Sequence, residues 1–100
     1  MIPQLLPFQY STTIQLRWKD IDQFGHVNNA VYLTYFETAR YYYNRDVNQW
    51  DWNQDQYIIA SIKVDYLRPI FYPGDIMVYL RIGDIGDKSF VFHYAITFEK

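Results

Sequence analysis

The chain has no cysteine, and neither sign of charge dominates: nine Lys and Arg stand against eleven Asp and Glu, a formal net charge of -2. The absence of cysteine excludes a disulfide framework, a thiolate zinc site and a Cys nucleophile. It fits a reducing compartment. The lack of basic excess excludes the positive stripe of a nucleic-acid binder, so no nucleic-acid partner is expected. No apolar run approaches the roughly 18 residues of a membrane helix. The first ten residues, Met1 to Tyr10, contain Pro3 and Pro7 but no basic residue, unlike a secretory signal. The expected location is therefore the cytoplasm, with no membrane partner. What the chain does have is apolar and aromatic mass. Half of its 100 residues are hydrophobic, 21% are aromatic and 11 are Tyr. That is too rich for disorder, and the length suits one domain, residues 1–100, with a thin core.

Periodicity sets out the elements. Residues 1–9 read as an extended arm, because each Pro drives its predecessor out of helical geometry. Thr13 to Lys19 alternates, with Ile14, Leu16 and Trp18 on one face, which predicts a half-buried strand. Asp20 to Asn29 reads as a turn around Gly25. Tyr32, Phe36, Ala39 and Tyr43 then recur at helical spacing, predicting a largely buried helix over about 29–45. Asn28 or Asn29 would cap it, and Glu37 and Arg40 would pair at i,i+3. Residues 46–56 read as a loop pinned by Trp50 and Trp52. Alternation over 60–66, 76–82 and 90–98 predicts three further strands, separated by turns at Pro73-Gly74-Asp75 and Gly83 to Asp87. Short turns between long strands imply an antiparallel meander. The economical architecture is α+β, one sheet wrapped around one apolar helix.

Hydrogen-bonding and reactive side chains are densest from Trp18 to Tyr32, where a strand hands over to the helix. The first turn of a helix presents free N–H groups and partial positive charge. Aimed at an ester or thioester carbonyl, such donors stabilise the oxyanion formed on attack. A carboxylate beside them can activate water or attack the carbonyl itself, and Gly25 allows close approach. Each piece also has a plain structural role. Asp20 and Asp22 suit a turn or a cap, His26 an ordinary hydrogen bond, and Asn28-Asn29 a cap. If the strand ran on through Asp20 and Asp22, both would share a face, and repulsion would raise one pKa. Asp20, Asp22, His26 and Glu37 could be drawn as a metal site, but no ligand-spacing motif supports it, so neither metal nor cofactor is expected. Tyr32, Tyr35 and Glu37 could line a cavity. Arg68 is a candidate for a phosphate-bearing ligand, although basic residues at such positions are usually only solvated.

Trp18-x-Asp20-x-Asp22-x-x-Gly25-His26-Val27-Asn28-Asn29-x-x-Tyr32, followed by Tyr35-Phe36-Glu37-x-Ala39-Arg40, closely resembles the hotdog-fold acyl thioesterases, in the branch of 4-hydroxybenzoyl-CoA thioesterase-like enzymes. Val64-Asp65-Tyr66-Leu67-Arg68-Pro69-Ile70 and Tyr72-Pro73-Gly74-Asp75 resemble a second block of the same branch, so the likeness spans residues 10–99. The resemblance implies a curved antiparallel sheet around a long central helix. It implies acyl-CoA hydrolysis, with homodimers or homotetramers and sites between subunits. Asp22 matches the family's catalytic carboxylate. Comparison with plant acyl-carrier thioesterases, whose Asn stands where this chain has Phe24, makes His26 a second catalytic or carbonyl-orienting group. Gly25, Val27, Asn28, Asn29, Tyr32, Glu37 and Arg68 are the expected substrate contacts, the backbone N–H near Asn29 polarising the carbonyl. The family usually has one more strand after Phe98, so the fold is expected to lack its last strand. Two alternatives stand beside hydrolysis: a non-catalytic acyl-binding or inactive hotdog protein, and a dehydratase of the same fold.

Overall fold

A computed structural model describes residues 8–53 and 57–98. In chain order it contains strand β1 (Tyr10–Gln15), a 3-10 turn (Trp18–Asp20), helix α1 (Val31–Asp46), strand β2 (Asp75–Ile85) and strand β3 (Phe90–Phe98). The strands form one antiparallel sheet in the order β1-β2-β3. Thr12 pairs with Val78, and Val78 with Ile96. Ile76, Val78 and Leu80, the alternate residues of β2, are at most 1% exposed. Ile76 and Val78 share one core cluster with Tyr32, Tyr35, Phe36 and Ala39 of α1, and Tyr43 continues the helix's buried stripe. Burying an aliphatic side chain of this size contributes about 1.5–3 kcal/mol. Aromatic pairs finish the seam. Phe36 stacks on Tyr94 at 4.6 Å between centroids, and Tyr43 meets Tyr10 edge-on at 5.4 Å.

Several expectations are corrected. The first strand stops at Gln15 instead of running to Lys19. Leu16 stays buried, but the backbone then coils into the 3-10 turn and turns Trp18 outward, 74% exposed. Residues 60–66 form no strand among the described residues. β1 pairs with one edge of β2 and β3 with the other, so the adjacent place expected for 60–66 is filled. The chain around this segment is tied near the two ends of α1. Asn44 Nδ2 donates to the Tyr57 hydroxyl at 3.1 Å, and the Tyr66 hydroxyl donates to the Asn29 carbonyl at 2.9 Å. Strand β2 runs to Ile85, past the turn expected at Gly83, through an irregularity in pairing between Ile82 and Ile85. The His93 ring lies over Gly83, where a Cβ would collide with it. Finally, Arg40 does not pair with Glu37; its Nη1 donates to the Tyr94 hydroxyl at 2.9 Å, and Glu37 is exposed.

Helix α1 matches the expected span closely. The expected cap by Asn28 or Asn29 is corrected: the N-cap is Ala30, with no side chain capping the helix, and Asn28 instead closes the turn just ahead of it. Its Oδ1 accepts from Ala30 N at 2.9 Å and its carbonyl from Val31 N at 2.9 Å. Trp50 packs on Tyr57, while Trp52 stacks on Tyr41 and stays half exposed.

Candidate active site

Between the 3-10 turn and α1 the chain makes one tight excursion. Ile21 bridges Val27, Asp22 N donates to the His26 carbonyl at 2.7 Å, and Gly25 N donates to the Asp22 carbonyl at 3.1 Å. Gly25 has φ 84°, a conformation that glycine adopts without steric cost. The turn is tied to the segment before β2. Val27 N donates to the Ile70 carbonyl at 2.8 Å, and His26 bridges Phe71.

Inside this turn the Asp22 side chain is oriented. Its Oδ1 accepts from Phe24 N at 2.9 Å and from His26 N at 3.2 Å. Its Oδ2 makes no hydrogen bond to the described residues. A half-buried carboxylate with one oxygen tied down and the other open can act as a base or a nucleophile. The His26 ring stands edge-on to Phe71, centroids 4.8 Å apart, which fixes its plane.

Asp22, His26, Val27, Asn29 and Tyr32 line a cleft of about 190 Å³, closed on its other side by Tyr66, Leu67, Arg68 and Pro69. The lining therefore brings together six of the residues singled out from sequence: Asp22, His26, Val27, Asn29, Tyr32 and Arg68. Gly25 and Asn28 belong to the same turn but do not line the cleft, and Glu37 lies outside it, exposed on α1. Sequence reasoning did not single out Tyr66, Leu67 or Pro69 as lining residues. Tyr66 sits edge-on to Tyr32 at 5.0 Å; the signals for it were the Tyr-rich composition and the Val64–Ile70 block of the family resemblance, which contains all three residues. Burial pushes the Tyr32 phenol above its ordinary pKa, so it stays protonated near neutrality. Among the described residues, no group of three His, Asp or Glu could hold a metal ion.

The two aspartates have separate environments. Asp20 is 2% exposed. It accepts from Arg17 Nε at 3.1 Å, from Arg17 Nη2 at 2.9 Å and from the Tyr35 hydroxyl at 2.9 Å. Burial alone would raise its pKa, but the hydrogen bonds from Arg17 and Tyr35 outweigh burial and hold the carboxyl below its ordinary value. The expected repulsion between Asp20 and Asp22 required a continuous strand through both. The 3-10 turn removes that condition.

A long helix wrapped by an antiparallel sheet, with a polar cleft at the helix N-terminus, defines a hotdog-fold protein of the thioesterase type. The chain belongs to the Thioesterase-like superfamily, whose model matches residues 16–99. It is 30% identical over 91 residues to the long-chain acyl-CoA thioesterase FadM of Escherichia coli, covering 88% of this chain and 69% of that one. It is 31% identical over 88 residues to YsmA of Bacillus subtilis, covering 87% of this chain and 60% of YsmA. The chain thus spans roughly two thirds of these relatives' lengths. Among solved structures, a Thermus thermophilus thioesterase complexed with coenzyme A and zinc superposes with a TM-score of 0.81 at 35% identity, covering 91% of this chain and 73% of that one.

Proposed function

We propose that this protein hydrolyses the thioester of an acyl-CoA to the free acid and CoA. The observation that carries the reading is the Asp22 carboxylate, fixed through Oδ1 while no described residue hydrogen-bonds Oδ2, in a cleft shared with the first residues before α1. In the reaction, a water oxygen attacks the thioester carbon while Asp22 takes the water proton. Charge develops on the carbonyl oxygen, and the Asn29 backbone N–H, just ahead of α1, stabilises it; the Asn28, Ala30 and Val31 N–H groups beside it are engaged within the chain. The tetrahedral intermediate collapses, the C–S bond breaks, and CoA leaves as the thiol after accepting the proton. Direct attack by Asp22 would give an acyl-carboxylate anhydride that water then cleaves; the same residues serve both routes. His26 orients the carbonyl or assists proton movement from the cleft wall. Arg68, at the cleft, suits a CoA phosphate. The coenzyme A bound to the similar Thermus thermophilus thioesterase supports CoA as the carrier.

Thiol release from short, medium, long and aromatic acyl-CoAs, measured on this chain and on Asp22→Asn, tests the proposal. General-base catalysis contributes about 10²–10⁴-fold, so the variant should lose at least about a hundredfold in kcat and keep its circular dichroism spectrum. Turnover close to that of the wild type in Asp22→Asn would refute the assignment.

A further inference from the structure

The reaction described above needs two things in register: the carboxylate on the Ile21–Val27 turn, and the donor at the start of α1. They belong to different elements. Asp20 touches both, and it also holds the chain leaving β1. Its carbonyl accepts from Asn28 N at 2.9 Å, at the base of the turn. Its own N–H donates to the Arg17 carbonyl at 2.9 Å, and its carboxylate grips the Arg17 side chain and backbone N–H. Its Oδ2 accepts from the hydroxyl of Tyr35, a buried residue in the second turn of α1.

Only the Tyr35 bond links this carboxylate directly to the helix among the described residues. The Tyr35 hydroxyl is thus the side-chain tie from Asp20 to the helix, beside the backbone bond from Asn28 N to the Asp20 carbonyl and the bond from Val27 N to the Ile70 carbonyl. The Tyr35 bond is neither near the open surface nor part of the cleft lining, so its influence on chemistry would be exerted through geometry.

We propose that Asp20, clamped between Arg17 and Tyr35, is a positioning residue that fixes the Asp22 turn against the N-terminus of α1. The inference rests on the thioesterase reading for its kinetic consequence, but not for its structural one. Reacting groups misplaced by about 1 Å can lose about a hundredfold in rate, so loosening the clamp should act on kcat. Substrate affinity, which is spread over the cleft, should change little.

The test uses Tyr35→Phe, which deletes only the hydroxyl, and Asp20→Asn, which keeps an acceptor for Tyr35 but loses the charge facing Arg17. Tyr57→Phe is the control: it deletes a hydroxyl bonded to buried Asn44 at the opposite end of α1. Two readouts are taken on each folded variant: kcat and KM, and amide hydrogen exchange by NMR. In Tyr35→Phe, kcat should fall about tenfold or more with KM within about twofold. Exchange of the Asn28 and His26 amides should accelerate, while the Val47 and Trp50 amides at the far end of α1 stay protected. Asp20→Asn should shift both readouts the same way, by a smaller factor. Tyr57→Phe should lower Tm and leave kcat unchanged.

The proposal is overturned if Tyr35→Phe exchanges like the wild type at Asn28 and His26, or if Tyr57→Phe reduces kcat as much as Tyr35→Phe does. Should the wild type turn over no acyl-CoA, the thioesterase reading fails, and the exchange data alone decide the clamp. A protein that turns over acyl-CoA with kcat insensitive to Tyr35→Phe retains its activity assignment and loses the clamp.

Discussion

Leu80 sits in the middle of β2, cross-strand from Tyr10 on one side and Tyr94 on the other, with 0% of its surface exposed. Replacing it with Ala removes three buried carbons, about 2.4 kcal/mol at about 0.8 kcal/mol each. A residual cavity adds to this, because β2 is held by hydrogen-bonded neighbours on both edges and cannot slide to fill the hole. The expected total for Leu80→Ala is about 3–4 kcal/mol. For a domain whose whole stability is about 5–15 kcal/mol, that is a large fraction, and Tm should drop by roughly 12–32 °C. Urea unfolding followed by far-ultraviolet circular dichroism is the suitable assay. The comparison is Leu67→Ala, the same truncation at a residue 85% exposed, which should move stability by no more than about 0.5 kcal/mol. A cost below about 1 kcal/mol for Leu80→Ala, or equal costs at the two sites, would mean that the seam between α1 and β2 does not hold the fold together.

Two further outcomes follow from local geometry. Gly74 has φ 148°, and a Cβ there would lie 2.8 Å from the Phe98 ring, so Gly74→Ala should cost about 1–3 kcal/mol in urea unfolding. The Asp20 carboxyl, held below its ordinary pKa by Arg17 and Tyr35 against the effect of burial, contributes stability that is fully present above the unfolded-state value of about 3.9 and is lost as pH falls through the lower folded value. The urea midpoint should therefore decline on acidification below about pH 4, and Asp20→Asn should flatten that decline; an unchanged acid limb would refute it.

The helix and two of the strands could be read from sequence because their side chains carry a period that burial enforces. Tyr32, Phe36, Ala39 and Tyr43 fall on one stripe, and Ile76, Val78 and Leu80 on one face, whatever lies opposite. Pairing was harder to read. Alternation over 60–66 states that a stretch can form a strand, but not which edge is available to receive it. β1 and β3 occupy the two edges of β2, a long-range outcome that no local pattern encodes. The same distinction explains β1. Alternation continues to Lys19 in the sequence, while the backbone departs after Gln15 because Arg17 and Asp20 close a 3-10 turn on each other.

For the candidate site, local pattern located the segment without separating its two aspartates, and only the family resemblance singled out Asp22. Asp20 and Asp22 have the same side chain, two residues apart, and each suits a turn. What divides them is a partner fifteen residues away, the Tyr35 hydroxyl, together with a backbone that rotates between them. One carboxylate is buried with its oxygens bonded, and the other, among the described residues, has no hydrogen bond to Oδ2 at the cleft. A buried carboxylate with its lone pairs engaged is a poor base, because protonating it would break the bonds that hold it. A half-buried one held by a single oxygen keeps its orientation while the other oxygen reacts. On the proposed reading, in which Asp22 reacts and Asp20 holds, the tertiary contact divides the two roles, and the Tyr35→Phe variant probes the step at which it is made.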